Sequence, residues 1–190
     1  MRKIPKGNYG YLKSQRNIET IKTIILFTLV IVIFLIGYLT TKTKANLFTV
    51  VAVVSVLPAA KQMATTILFY KYSSGSQETY EKIKNTVKDA TTIYDIVITS
   101  YDKIGELLHV AIVGKTIIAY SEKEKTNEKY MADYIKGILE KNGYSGTSVK
   151  IFNNEESYLA RLQELQKNLG GERKMEQEQK MADVIKAISI

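Results

Sequence analysis

The sequence predicts a membrane-anchored α/β (α+β) protein: a hairpin of two transmembrane helices followed by a cytosolic domain with a mixed four-stranded sheet. Three observations predict it. Two apolar segments, within residues 23–72, are separated by one short polar loop. Most basic residues of the first third of the chain lie before the first of these segments. After a linker at 73–77, residues 78–190 read as alternating helical and strand-like runs in the order α-β-β-β-α-β-α-α.

The first apolar segment, residues 23–39, carries no charge. With Thr40 and Thr41 it approaches the ~20 residues needed to cross ~30 Å of hydrocarbon. It is rich in β-branched residues, which favour strands in water. In lipid the backbone must satisfy its own hydrogen bonds, so an isolated run of this length is helical. The second segment is less uniform. Residues 47–60 are apolar, Lys61 and Gln62 interrupt, and the apolar character resumes to Tyr72.

A second span reaching Tyr70 must accommodate Lys61, and a mid-span lysine costs roughly 2.5–3.5 kcal/mol. Its amine can snorkel to the headgroups. It can instead face a partner helix or a wet cavity as an intramembrane charge. A third arrangement breaks the helix near Pro58 and lays residues 61–72 in the interface. Ala52, Ser55, Ala59, Gln62 and Thr66 share one helical face. Small and weakly polar residues suit close helix–helix contact in lipid, either with the first helix or between copies of the chain. Lys61 lies well off that face, which favours snorkelling.

Arg2, Lys3, Lys6, Lys13, Arg16 and Lys22 precede the first segment, and only Lys42 and Lys44 lie in the loop. The positive-inside rule then predicts a two-pass protein of the cytoplasmic membrane with both termini cytoplasmic. Thr43 and Ala45 make a poor cleavage site, so the first segment is expected to stay attached.

The formal charge of the 190-residue chain is +8, but its distribution matters more. Residues 1–72 hold ten Lys/Arg and one acid, Glu19; the remainder holds 17 basic and 18 acidic residues. The excess is therefore a topology signal, and nucleic acid is not an expected partner. The lipid bilayer is one expected partner, and a protein or a second copy of the chain is the other. With no cysteine and one histidine, the chain offers no disulfide framework, thiol nucleophile or multi-histidine metal site. No cofactor or metal is expected.

Residues 1–22, with Gly7 and Gly10, read as a flexible or surface-lying basic tail. Ser76 or Gln77 opens a helix to about residue 90, with Tyr80, Ile83 and Val87 at helical spacing. Residues 93–101 are apolar on both faces and read as a central strand. Residues 107–113 are a second such run. Gly114-Lys115 suits a two-residue turn, and residues 116–121 return as a hairpin partner. A helix over 127–142 ends at Gly143, and 147–152 alternates like a strand near a sheet edge. Asn153 or Asn154 caps a helix that Gly170-Gly171 ends, and the last segment is a polar helix with an apolar end. MADYIKGI at 131–138 and MADVIKAI at 181–188 agree at six of eight positions. Two amphipathic helices built from common residues account for this more simply than a duplicated docking helix.

Gly114-Lys115-Thr116 looks like the end of a phosphate-binding loop. The full motif needs a glycine five residues earlier, where His109 stands. The order helix, three strands, helix, strand over residues 76–152 resembles the core of restriction-endonuclease-like nucleases. That resemblance implies an acid on one core strand and an acid-x-lysine pair on the next, together holding Mg²⁺. Asp95 would be the first acid, but SEKEK at 121–125 contains no acid-x-lysine. His109 reads as a hydrogen-bonded core histidine; general acid/base work would need Glu106 or Asp102 beside it.

The expected function is that of a membrane-tethered interaction or regulatory module, more non-enzymatic than enzymatic. Two alternatives stand beside it. One is a tethered nuclease-like domain, active or inactive. The other is a small oligomeric pore or transport accessory subunit using the stripe on the second helix.

Overall fold

The computed structural model describes residues 3–87, 90–100, 103–122, 127–167 and 175–190. Lys88, Asp102, residues 123–126, Leu169 and the Gly170-Gly171 stop lie outside them. The chain divides into two compact units. One is the helical Leu12–Ser73. The other joins Ile4–Tyr11 to Ser74–Ile190.

The first unit is an antiparallel pair: α1, Tyr11–Thr41, and α2, Leu47–Lys71. Both are long and apolar enough to cross a membrane. α1 begins twelve residues before its apolar segment, so residues 11–22 are helix rather than flexible tail. α2 runs unbroken through Pro58, so the arrangement that breaks there is not adopted. Asn46 caps α2, its Oδ1 accepting from Thr49 N at 2.9 Å. Gly37 lets the helices close at this end: a Cβ there would stand 2.4 Å from Phe48 Cβ. Further along, the Thr23 and Thr66 hydroxyls meet at 2.8 Å. These two contacts set a register that puts Lys61 level with residues 24–28, near the start of the first apolar segment.

The second unit holds α3 (Gln77–Thr86), β1 (Thr91–Thr99), β2 (Ile104–Val113), β3 (Thr116–Tyr120), α4 (Glu128–Lys141), β4 (Ser148–Phe152), α5 (Glu155–Lys167) and α6 (Met175–Ala187). The sheet order is β1-β2-β3-β4. The first two pairings are antiparallel and β3–β4 is parallel across the α4 crossover. α4 and α6 cover one face, where Ile96, Ile98, Ile117, Met131, Ile135, Met181 and Ile185 form the larger core. α3 and α5 cover the other, over Ile83, Ala111, Ile118, Tyr158 and Leu162.

Local chemistry explains the boundaries. Ser76, Asn127 and Asn154 cap α3, α4 and α5 by accepting from Thr79 N, Tyr130 N and Ser157 N. Gly114, at φ +58°, makes the two-residue turn between Val113 and Thr116. Glu178 of α6 holds that turn and β1 together, accepting from Gly114 N at 2.7 Å and Thr91 Oγ1 at 2.8 Å. The repeated octapeptide also has a physical reason. Met131 and Ile135 of α4, and Met181 and Ile185 of α6, enter one core on one face of the sheet.

β1 is an edge strand, not the central one its composition suggests. Its two apolar faces are both under helices, so face burial alone mimics a central position. Its outer backbone is covered by other parts of the chain. Tyr94 N donates to Gly7 O at 2.8 Å, and Ile190 N donates to Val97 O at 3.0 Å. Residues 4–11 are therefore an ordered strap on the sheet rather than a tail, and an edge otherwise open to strand addition is closed.

Candidate functional site

The strap converges on Asp95. This residue sits inside β1 yet has φ +54°, the left-handed region. Ile93, Ile96 and Ile98 all enter the same core, so the alternation of faces is reset across Asp95. Its carboxylate is turned inward and 1% exposed. Oδ2 accepts from Gly10 N at 2.8 Å and from Ser74 Oγ at 2.5 Å. Gly10 immediately precedes α1, and Ser74 follows α2 by two residues. One buried carboxylate, on a residue with left-handed backbone, thus holds Gly10 and Ser74 together within the α/β unit. Left-handed residues in strands concentrate where a fold over-determines a particular geometry.

Beside it runs a transverse row of rings. Tyr94 pairs with His109, His109 with Tyr120, and Tyr120 with Phe152, one residue from each strand at one level of the sheet. Tyr158 of α5 lies over the row, its ring centre 5.4 Å from that of Tyr120 and 6.0 Å from that of Phe152. At the β1 end Tyr80 packs edge-on to Tyr94 at 5.3 Å, and Tyr9 of the strap stacks on Tyr80 at 4.0 Å. Aromatic pairs of this kind contribute about 0.5–1.5 kcal/mol each beyond area burial. The Tyr9 hydroxyl donates to Gly75 O at 3.1 Å. The cavity among Tyr9, Ser76, Thr79, Tyr80 and Tyr94 encloses about 10 Å³, the lower limit for one water.

His109 lies at the centre of this row with no exposure. Its Nδ1 is hydrogen-bonded to the Tyr158 hydroxyl, and Nε2 has no hydrogen-bond partner among the described residues. Burial lowers its pKa to about 3, so the ring is neutral at physiological pH. Burial raises Tyr94 to about 12 and Tyr158 well above its ordinary value. His109 and Asp95, the two candidates for chemistry, have different surroundings. Asp95 binds the strap, whereas His109 binds a protonated tyrosine. Among the described residues no group of three or more His, Asp and Glu side chains is placed to hold a metal ion.

In the helical unit, Ala52, Ala59 and Thr66 of the stripe are buried, and Ser55 and Gln62 are half-buried. Lys61 is exposed. Gln62 reaches a group that sequence reasoning passed over: Glu19, 4% exposed. Glu19 Oε2 accepts from Gln62 Nε2 at 2.5 Å, while Oε1 accepts from Gln15 Nε2 at 2.8 Å and Lys22 Nζ at 2.7 Å. The available signal was its solitude: it is the one acid in the first 72 residues, and it lies four positions before an apolar span.

Compared with known proteins, the chain matches no family model, no curated sequence and no solved structure.

Proposed function

We propose that this chain is a two-pass membrane protein whose α/β unit is a cytosolic interaction or regulatory module, coupled to the hairpin through Asp95. Membrane anchoring is supported by the surface of the helical unit. Ile25, Leu29, Ile31, Leu35, Leu47, Val53 and Leu57, among others, are 46–77% exposed. Exposed aliphatic surface of this extent supports contact with lipid over contact with water.

The observation that carries the coupling is the shared carboxylate. A pull on the chain before α1 or after α2 reaches Asp95 through a direct hydrogen bond, and Asp95 is part of β1. The strap ending at Gly10 also closes the edge of that strand. A partner or a membrane event that displaces either chain segment would therefore alter the outer edge of the sheet. The partner in this reading is another protein or a second copy.

The natural absence of cysteine makes the orientation directly testable. Thr43→Cys marks the interhelical loop, and Glu164→Cys marks the exposed face of α5. A membrane-impermeant maleimide applied to intact cells is expected to label the first and not the second. After permeabilisation both are expected to react. Labelling of Glu164→Cys in intact cells, or release of the protein by alkaline carbonate, would overturn the reading.

A further inference from the structure

The helical unit separates its charges by sign. Its one acid, Glu19, is buried and held by Gln15, Lys22 and Gln62. Lys13, Lys22, Lys61 and Lys71 are exposed, with Arg16 half-buried over the Tyr70 ring at 5.3 Å. The antiparallel register groups these cations at one end. Lys22 and Lys61 flank the beginning of the α1 apolar belt, and Lys13, Arg16 and Lys71 lie about one and a half to three turns beyond it. The Lys22 side chain is 52% exposed while paired with Glu19. The other end of the hairpin holds only Lys42 and Lys44.

From this arrangement we infer a binding surface for anionic phospholipid headgroups, centred on Lys22 and Lys61. Resting on the membrane reading above, it names the lipid class that the hairpin recruits. An apolar belt fixes the depth of the acyl chains. Two lysines at its boundary place ammonium groups at the depth of the phosphates, Lys61 by extending its stem along α2. Glu19 is turned inward and its charge is met by Lys22, Gln15 and Gln62, so no exposed carboxylate of this unit faces a phosphodiester. The lower cations then extend the attraction into the adjoining electrical layer, where each basic residue favours anionic lipid.

The test uses the full chain reconstituted in phosphatidylcholine vesicles containing about 20 mol% phosphatidylglycerol. Spin-labelled phosphatidylglycerol or phosphatidylcholine is added at trace level, and the motionally restricted fraction is measured by electron paramagnetic resonance. The expected result is a preference of at least about threefold for the anionic label. Lys22→Gln with Lys61→Gln should bring it close to unity, and Lys42→Gln with Lys44→Gln should leave it unchanged. Free glycerol phosphate at millimolar level should not compete, which distinguishes a headgroup in the bilayer from a soluble phosphate. No preference in the unaltered protein, or equal loss from both pairs of substitutions, would overturn the inference. A protein that fails to enter the vesicles shows no restricted label of either kind, and that outcome counts against the membrane reading itself.

Discussion

At Asp95 the backbone and the side chain make separate demands, and substitution can separate them. The left-handed conformation disfavours most residues by ~1–2 kcal/mol, while asparagine and aspartate tolerate it and glycine adopts it freely. The carboxylate separately satisfies Gly10 N and Ser74 Oγ in a buried setting. Asp95→Asn keeps the conformation and an acceptor oxygen, and is expected to cost about 1 kcal/mol. Asp95→Gly keeps only the conformation, and Asp95→Ala keeps neither, at about 3 kcal/mol. Thermal unfolding of the detergent-solubilised chain should rank them Asn, Gly, Ala in order of increasing damage. Hydrogen exchange at the Tyr94 amide should accelerate in the same order, because that amide is held by the strap. His109 gives a different residue-scale test. Its folded pKa of about 3 lies below the ~6.5 of an unfolded chain. Between those values the unfolded state binds a proton that the folded state does not. The stability this residue contributes is therefore complete above ~6.5 and declines by about 1.4 kcal/mol per pH unit on acidification, until pH nears 3. His109→Phe should be less stable at neutral pH, since Tyr158 loses its partner, but its unfolding midpoint should fall less between pH 6.5 and 4.5. Parallel pH profiles for the two proteins would show that His109 does not carry this term.

At the scale of elements, what the sequence discloses follows the kind of force involved. Side chains that act on their own neighbours were readable. Ser76, Asn127 and the Asn153-Asn154 pair announced helix starts, and Gly114 announced a turn, because a cap or a two-residue turn is decided within a few positions. Hydrophobic spacing located α4 and the strands for the same reason. What depends on pairing across the chain was hidden. Ile96, Val97 and Ile98 report that both faces of β1 are covered, but no side-chain pattern reports its edge, so β1 read as central. The cover on that edge comes from residues 4–11, whose two glycines made them resemble a loose tail. Gly7 instead supplies its carbonyl to Tyr94, and Gly10 its amide to Asp95. The row Tyr94, His109, Tyr120, Phe152 was invisible for a related cause: the four residues meet only after three independent strand registers are set. Of the candidate residues, His109 was legible as a core histidine, but its tyrosine partner 49 positions away was not.

At the scale of the whole molecule, the open choice is between a chain that completes its own helix contacts and one that needs copies to do so. A pore would require the small-residue stripe to face other subunits. In this chain Ala59 has no exposure, and Thr66 meets Thr23 of the same chain. Gly37 also closes on Phe48. Ala59, Gln62 and Thr66 of the stripe are thus used within one hairpin, and the exposed apolar surface of both helices is mostly aliphatic. The expected mass of the full chain in detergent, after subtraction of the micelle, is that of one copy, 21.5 kDa. Ala59→Leu adds three carbons where no space exists and should force the helices apart, exposing Glu19, Gln62 and Thr66 to new partners. The expected outcome is a shift from one copy toward larger species, with lower thermal stability. Ala60→Leu, one position on and exposed, should leave the mass and stability of the single copy unchanged. If the unaltered chain already has the mass of several copies, self-association is established. If Ala59→Leu then dissociates them, the stripe is an intersubunit surface and the pore alternative becomes the leading one. If that substitution leaves the multiple intact, the copies are joined through the α/β unit or the aliphatic belt. The self-associating form of the regulatory module then replaces the form that waits for a different protein.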